Sequence, residues 1–417
     1  MVNFQTIPLK RLVPGLIIGP ASWLGPYIVA SSLFLPAMLQ AIDSNNKVQL
    51  VALFSTLAMV VAAISNMLAG SISDRTRTRF GKRAPWIVIG AVVFMLAMIA
   101  SSFAPNQWFL LGTWLIGQIG LNFIVAPMVA WIDMAPVDGR GTASSAYGGL
   151  GMALGNNGFT IFGAMLLGQY RLGFIIFGII TFIGTLIAVF IVKEPSNINE
   201  TNDISEFEEQ TEKPKSMHAL LKIFPSWSIG RDYYLALIGK IFQGVGNFAI
   251  TGYLLYIMTD FLHKGTQDTQ SAIQLINTIM LIFGIAMGLF SGPVVDKLKV
   301  LKLPVALSTI SLAAAALSLF IIRNDFGIML YGLLAGLGMG LWNSLDNLLN
   351  LEVIPDKSRV AFFLGVYNLG NTVTQAIAPA LAAIIISLFG YSAIFIMSFV
   401  FSLIGGILIL AIKSVSK

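Results

Sequence analysis

A backbone that enters hydrocarbon must satisfy its own N–H and C=O groups, and an α-helix of about 20 apolar residues does so within one segment. Twelve runs of that kind divide this chain. They lie near 12–39, 49–72, 84–104, 107–134, 141–168 and 172–192, then near 232–262, 271–293, 303–322, 326–350, 358–389 and 391–412. Of 417 residues 56% are hydrophobic and 11% charged, which leaves too few polar groups to cover a water-soluble globule of this size. The reading is an all-α membrane protein with twelve transmembrane helices. Between the two sixes, Lys193 to Arg231 carries Glu200, Asp203, Glu206, Glu208, Glu209 and Glu212, then an amphipathic piece around Met217 to Phe224, as a solvated linker would. The expected division is a six-helix bundle over 1–193, a cytoplasmic linker over 194–231 and a second six-helix bundle over 232–417. The basic end of Met1 to Arg11 precedes no short signal core with a small-residue cleavage site, so the first run is read as a retained span.

Charge sets the expected orientation. Of the 25 Lys and Arg residues, Lys47, Arg171, Lys264 and Arg323 fall in turns on one side and Lys240 lies within a span; the others cluster on the opposite side, with both termini. The positive-inside bias makes that side cytoplasmic and the protein a multi-pass resident of the cell membrane. A net charge of +6 spread over short loops fits the cytoplasmic membrane face, and nucleic-acid binding is not supported. The chain has no cysteine, and its two histidines, His218 and His263, lie outside the spans, so no catalytic constellation or metal site is read. An enzyme is not expected, nor a cofactor. The expected partners are the lipid bilayer and a small-molecule substrate, and the expected state is a monomer.

The two halves repeat. Gly70-x-x-x-Asp74-Arg75 recurs as Gly292-x-x-x-Asp296-Lys297, 222 residues on, and Asp133-x-x-Pro136-x-x-x-Arg140 recurs as Glu352-x-x-Pro355-x-x-x-Arg359, 219 residues on. Two signatures at nearly one offset imply pseudo-symmetric bundles with a substrate site between them near mid-membrane. The first copy extends through Arg79, Gly81, Lys82 and Arg83; the second keeps Lys297, Lys299 and Lys302 but has no glycine equivalent to Gly81. Gly70 lets helices approach closely, and Asp74 can sit against a helix N-terminus or a cation. This stretch resembles the signature between the second and third helices of the major facilitator superfamily of transporters. That resemblance implies that Asp133 with Arg140 and Glu352 with Arg359 join Asp74 and Arg75 in interlocking salt bridges that hold the cytoplasmic side closed. Plain anchoring of a basic turn at the interface is the alternative.

Residues 70–86, continuing through Ala84-Pro85-Trp86, are similar to the glycoside-pentoside-hexuronide cation symporters and related sucrose and maltose carriers, which place an arginine where Ala84 stands. Tyr253-Leu-Leu-Tyr256 with Asp260 is similar to the same group. Sodium-coupled members hold their cation with two acids in the second helix, at positions that are Ala62 and Asn66 here, so the expected coupling ion is the proton.

Charge inside a span is costly unless paired or hydrated. Lys240 and Asp346 lie within the seventh and tenth spans, each about 10 Å to the cytoplasmic side of the middle at ~1.5 Å per residue, and can form one ion pair. Such a pair is either the proton-coupling site or a structural pair with a snorkelling lysine. Gln118 and Asn122, Gln243, Asn247 and Thr251, Trp342 and Asn350, and Asn368, Asn371 and Gln375 recur at helical spacing in four spans. Amides and an indole suit the hydroxyls and apolar face of a sugar, though amides also join helices. Trp23 and Tyr27 are one turn apart in the first span. Pro20, Pro26, Pro36, Gly151, Gly155 and Gly158 mark places to bend or pack tightly. The expected function is secondary active transport of a neutral sugar or glycoside by proton symport with alternating access. Proton-driven efflux of amphipathic drugs or metabolites is the alternative, weakened because Gly148 to Gly158 lacks the proline of the exporters' fifth-helix motif.

Overall fold

The computed structural model describes residues 6–136, 139, 142–143, 146–198, 227–298, 300–355 and 360–415. The segments are α1 (Leu9–Val29), a π-helical turn (Ala30–Phe34), α2 (Leu35–Ile42), α3 (Lys47–Arg75), α4 (Ala84–Ser102), α5 (Gln107–Val129), α6 (Phe159–Met165) and α7 (Tyr170–Val192). Then come α8 (Trp227–Thr251), α9 (Leu254–Tyr256), α10 (Thr266–Leu298), α11 (Lys302–Ile321), α12 (Asp325–Val353), α13 (Val360–Phe389) and α14 (Ser392–Leu410). No strand occurs among the described residues. Among the described residues ten helices are long and apolar enough to cross a membrane, eleven if Gly230–Thr251 and Leu254–Phe261, bent by 49°, form one span. The remaining expected span, near 141–168, contains π-helical turns (Ala146–Gly151, Leu154–Gly158) that run into α6. Gly151 lets it press on α1: a Cβ there would lie 2.9 Å from the Leu16 carbonyl oxygen. Gly158, by contrast, has nothing within 4 Å of its Cβ position. The π-helical turn of the first span lies between Pro26 and Pro36, where two missing N–H groups loosen the ladder.

Local chemistry repeats between the halves as the loop signatures do. Asn106 caps α5, its Oδ1 accepting from the N–H groups of Trp108 (3.1 Å) and Phe109 (2.9 Å), and Asn324, 218 residues on, caps α12 by accepting from Gly327 N–H (3.2 Å). α4 and α5 approach until a Cβ on Gly120 would sit 2.8 Å from the Gly90 carbonyl oxygen, and 218 residues on a Cβ on Gly338 would sit 2.7 Å from that of Ser308. Arg11 donates to the last carbonyls of α7 (Val192 at 2.9 Å, Lys193 at 3.0 Å), and Arg231, 220 residues on, donates to the Ala411 carbonyl after α14 (3.3 Å). α8 starts at Trp227, earlier than 232, and residues 199–226 of the expected linker lie outside the described residues.

The helices alternate between a basic end, which carries the 76–83 turn, and a distal end, which carries Lys47 and Lys264. The halves meet where α3 packs on α13 and α10 on α6. Thr56 donates to the Ala376 carbonyl (3.2 Å) and Gln274, 218 residues after Thr56, donates to the Ile161 carbonyl (3.2 Å), a symmetric pair of crossings. Nearer the distal end Gln49 donates to Ser387 (3.1 Å), Tyr256 to the Pro36 carbonyl (2.9 Å), and Tyr253 to the carbonyls of Val48 (3.2 Å) and Pro379 (2.8 Å). Lys47 Nζ lies 2.6 Å from Asp260 Oδ2 and 4.6 Å from the Tyr256 ring centre, while the Tyr391 hydroxyl donates to the same carboxylate oxygen (3.0 Å). These contacts close the distal side.

The basic end is different. Asp74, Arg75, Arg79, Asp133 and Glu352 are exposed and form no ion pair among the described residues. Gly70 has no atom within 4 Å of its Cβ position, so the expected close approach of helices there is not made. Among the described residues none of the interlocking salt bridges expected of this end is formed. Exposed ion pairs are worth only about 0–1 kcal/mol each and form where packing brings their partners together, which here happens at the other end. Arg140 and Arg359 lie outside the described residues; Asp296 lies in α10, its side chain outside the description. The side-chain contacts between the halves given above lie between mid-height and the distal end.

Candidate functional site

Three arrangements hold most of the chemistry: a buried charged triad in the second half, an aromatic and amide cluster in the first, and the basic turn.

The triad joins α8, α12 and α13. Lys240 Nζ lies 2.6 Å from Asp346 Oδ2, and the Tyr367 hydroxyl donates to Asp346 Oδ1 at 2.6 Å. The ammonium also sits 4.1 Å from the centre of the Tyr367 ring. Lys240 is 2% exposed and Asp346 7%, so each charge depends on the other: removing one partner of such a pair costs about 3–5 kcal/mol. Below the triad, toward the basic end, Tyr233 packs edge-on against Phe363 (5.1 Å between ring centres) and donates to its carbonyl (2.7 Å), and both side chains are buried. Tyr367 was not among the candidates drawn from sequence. A tyrosine eleven residues before Ala378 in an apolar run carries no marker of its own, and only the packing of α13 on α8 selects it.

In the first half the amides come together. Asn122 Nδ2 donates to the Gln118 carbonyl one turn back (2.9 Å), and its Oδ1 accepts from Asn66 Nδ2 (3.1 Å), so the position where sodium-coupled carriers place an acid holds an amide pair instead. Tyr27 stacks on Trp114 with ring centres 6.1 Å apart and planes at 20°, and its hydroxyl faces the Gln118 side chain. Trp23 faces the Tyr147 hydroxyl in the same way. Trp114 and Tyr147 are further residues that sequence reasoning passed over; helical spacing of Trp114, Gln118 and Asn122 on one face is the signal that could have found the first. The other amide candidates do not join this cluster. Gln243 is buried and reaches only the Met339 sulfur (3.7 Å), Asn247 is half-buried, Trp342 is buried on α12, and on α13 Asn371 is exposed and Gln375 half-buried. None of these five side chains hydrogen-bonds another of the set among the described residues.

The basic turn wraps a carboxylate. Glu194, two residues beyond α7, accepts from the backbone N–H groups of Lys82 (3.1 Å), Arg83 (3.1 and 3.2 Å) and Ala84 (2.8 Å), the first turn of α4, and from the Trp131 indole (3.4 Å). It is an N-terminal cap for α4 supplied by the segment that follows α7. Burial holds its pKa above the usual carboxylate range, against the opposing pull of those donors and of Arg83. Gly81 completes the fit: its φ of 88° suits glycine, and a Cβ there would lie 2.3 Å from Glu194 Cγ. Asn197 holds the other side, accepting from Thr78 N–H (3.0 Å) and donating to the Thr76 carbonyl (2.8 Å). Arg83 donates to the Ala130 carbonyl at the end of α5. Neither Glu194 nor Asn197 was anticipated, because the turn and the segment after α7 are more than 100 residues apart in sequence. Glu352, at the corresponding end of α12, lines a polar cavity of about 420 Å³ with Arg231, Asp232 and Lys413.

Comparison with known proteins agrees with this architecture. Among solved structures, a POT family transporter in complex with 5-aminolevulinic acid superposes with a TM-score of 0.70 at 14% identity, covering 98% of both chains. A bacterial homolog of the human lysosomal transporter Spinster, inward-facing and unoccupied, gives 0.67 at 12%, covering 99% of this chain and 96% of that one. At these identities the likeness establishes the fold. A multi-drug resistance efflux pump PmrA homolog of Lactococcus lactis is 28% identical over 181 residues, a match that spans 42% of this chain and 44% of that protein. The family model described as MFS/sugar transport protein matches residues 44–413, nearly the whole length. The chain is thus a member of the MFS/sugar transport protein family, a major facilitator superfamily transporter.

Proposed function

We propose that the protein moves a neutral sugar or glycoside across the cell membrane by proton symport, with its basic end in the cytoplasm. The observation that carries this reading is the Lys240–Asp346–Tyr367 triad, a buried carboxylate whose charge is balanced inside one half of the molecule. A proton on Asp346 removes the counter-ion of Lys240 and leaves a buried cation that α8 must move or hydrate, which ties protonation to helix displacement. The uncharged cluster of the first half, with the Tyr27–Trp114 stack beside Gln118, Asn122 and Asn66, offers ring faces and amides to a hydroxyl-rich solute. Substrate and proton would then sit in different halves, coupled through the interface between them. Alternating access would follow from exchanging the distal closure for closure at the basic end by the salt bridges expected of Asp74, Arg75, Asp133, Arg140, Asp296, Glu352 and Arg359.

The test is proton movement on adding substrate to purified protein in liposomes, with a lumenal pH dye and a panel of disaccharides, glycosides and cationic drugs. Proton entry together with one sugar, lost in Asp346→Asn, is the expected result. Efflux of amphipathic compounds is the second reading, favoured by the match to the Lactococcus lactis pump homolog; proton exit driven by a cationic drug, with no response to any sugar, would establish it instead.

A further inference from the structure

Asn350 lies on α12 one turn beyond Asp346, on the same face and toward the basic end. It is fully buried, and both its Oδ1 and its Nδ2 lack any protein partner. An amide in that condition is expensive, because its desolvation is not repaid, and native proteins meet such groups with ordered water. Leucine would fill a purely structural position there without that cost. Its neighbours in the chain, Leu349 and Val353, are buried and apolar, and the ring pair of Tyr233 and Phe363 closes the α8 and α13 side of the same layer. Asp346 is itself engaged on one side by Lys240 and on the other by Tyr367, but a carboxylate has about four acceptor sites and retains capacity for another donor.

We propose that Asn350 is a water-holding site that carries protons between Asp346 and the basic end of the protein, through a layer that apolar and aromatic side chains otherwise seal. The amide binds water through both its donor and its acceptor. A proton arriving at that water passes to an Asp346 oxygen as a water proton is replaced from the basic side, so the water is regenerated and no other reactant is needed. Asn350 never carries the proton and is a positioning residue. The proposal rests on the reading of Asp346 as the coupling group.

The experiment follows Asp346 directly. Full-length protein in liposomes is subjected to a pH jump, and the infrared carboxyl band that disappears in Asp346→Asn is recorded against time, without substrate. In Asn350→Leu the band should keep its amplitude while its relaxation slows about tenfold or more; Asn350→Ser, which restores a polar group and leaves room for water, should recover the rate. A merely structural role would alter amplitude and rate together and would not be rescued by serine. Wild-type relaxation in Asn350→Leu, or in Asn350→Met should the leucine variant fail to fold, overturns the relay and leaves the coupling reading intact. Absence of any Asp346 band in the wild type across the accessible pH range overturns the coupling reading, and the relay with it.

Discussion

Replacing Glu194 tests whether a single carboxylate organises the basic turn. Its oxygens receive three consecutive backbone N–H groups and the Trp131 indole, with Ala84 the closest donor at 2.8 Å. Hydrogen bonds to a charged group contribute about 1.5–3 kcal/mol each, but burial of the carboxylate opposes them, as its raised pKa records. Glu194→Ala removes every acceptor and empties the space that Gly81 leaves for the side chain, so a loss of about 3–5 kcal/mol is expected. Glu194→Gln keeps one acceptor and the packing while relieving the buried charge, and should lose about 1–2 kcal/mol. For a half of this size those losses correspond to a fall in unfolding temperature of roughly 6–20 °C for alanine and roughly 2–8 °C for glutamine. The assay is thermal unfolding of purified protein. The pH dependence has a definite sign. With the folded pKa above the unfolded value, the folded protein holds the extra proton, so this contribution to stability is complete below the unfolded pKa and is lost as pH rises through the folded one. That component should vanish in Glu194→Gln. Alanine and glutamine variants that both unfold at the wild-type temperature would refute the idea that the turn is built on Glu194.

The distal closure gives a second expectation. Lys47→Met removes a partly buried ion pair worth about 1–2 kcal/mol, so the distal-open population should rise about tenfold. Since the chain has no cysteine, a single cysteine at Gln49 labelled by an impermeant maleimide reports this directly, and unchanged labelling would assign the closure to apolar packing and the tyrosines. Gly81→Ala should destabilise by about 2–4 kcal/mol, through its positive φ and its contact with Glu194, whereas Gly70→Ala should leave the unfolding temperature unchanged and still slow transport. Equal effects of the two would remove the distinction between them. Tyr367→Phe takes the only hydroxyl from Asp346 Oδ1 and should lower stability by about 1–3 kcal/mol, measured in the same unfolding assay.

Helices and their repetition could be read from the chain because their causes are local. Apolar runs impose spans whatever surrounds them, and Asn106 and Asn324 cap their helices with atoms two or three residues away. The triad was half visible for the same reason: a lysine and an aspartate inside spans stand out by cost, whereas Tyr367 and the Trp114 stack are ordinary membrane residues until tertiary packing gives them partners. Glu194 and the Lys47–Asp260 pair were hidden because each joins segments more than 100 residues apart, and neither acid nor base is unusual at a helix end.

The 70–83 stretch shows that the residues of one motif can sit in different surroundings. Its second part is structural in the state seen here: Gly81 lies against Glu194, the N–H groups of Lys82 and Arg83 meet the same carboxylate, and Arg83 reaches the end of α5. All of these contacts join the first half to itself or to the segment directly after α7, so rocking of the halves need not break them. Its first part is different, with Asp74 and Arg75 exposed and Gly70 facing open space. Contacts that exclude one another between states cannot all appear in one structure, and among the described residues Asp74 and Arg75 form no ion pair. We propose that the motif divides at about Arg79 into a switching part and an anchoring part. Variants of the first should move the balance between states at constant stability, and variants of the second should lower stability before they alter that balance.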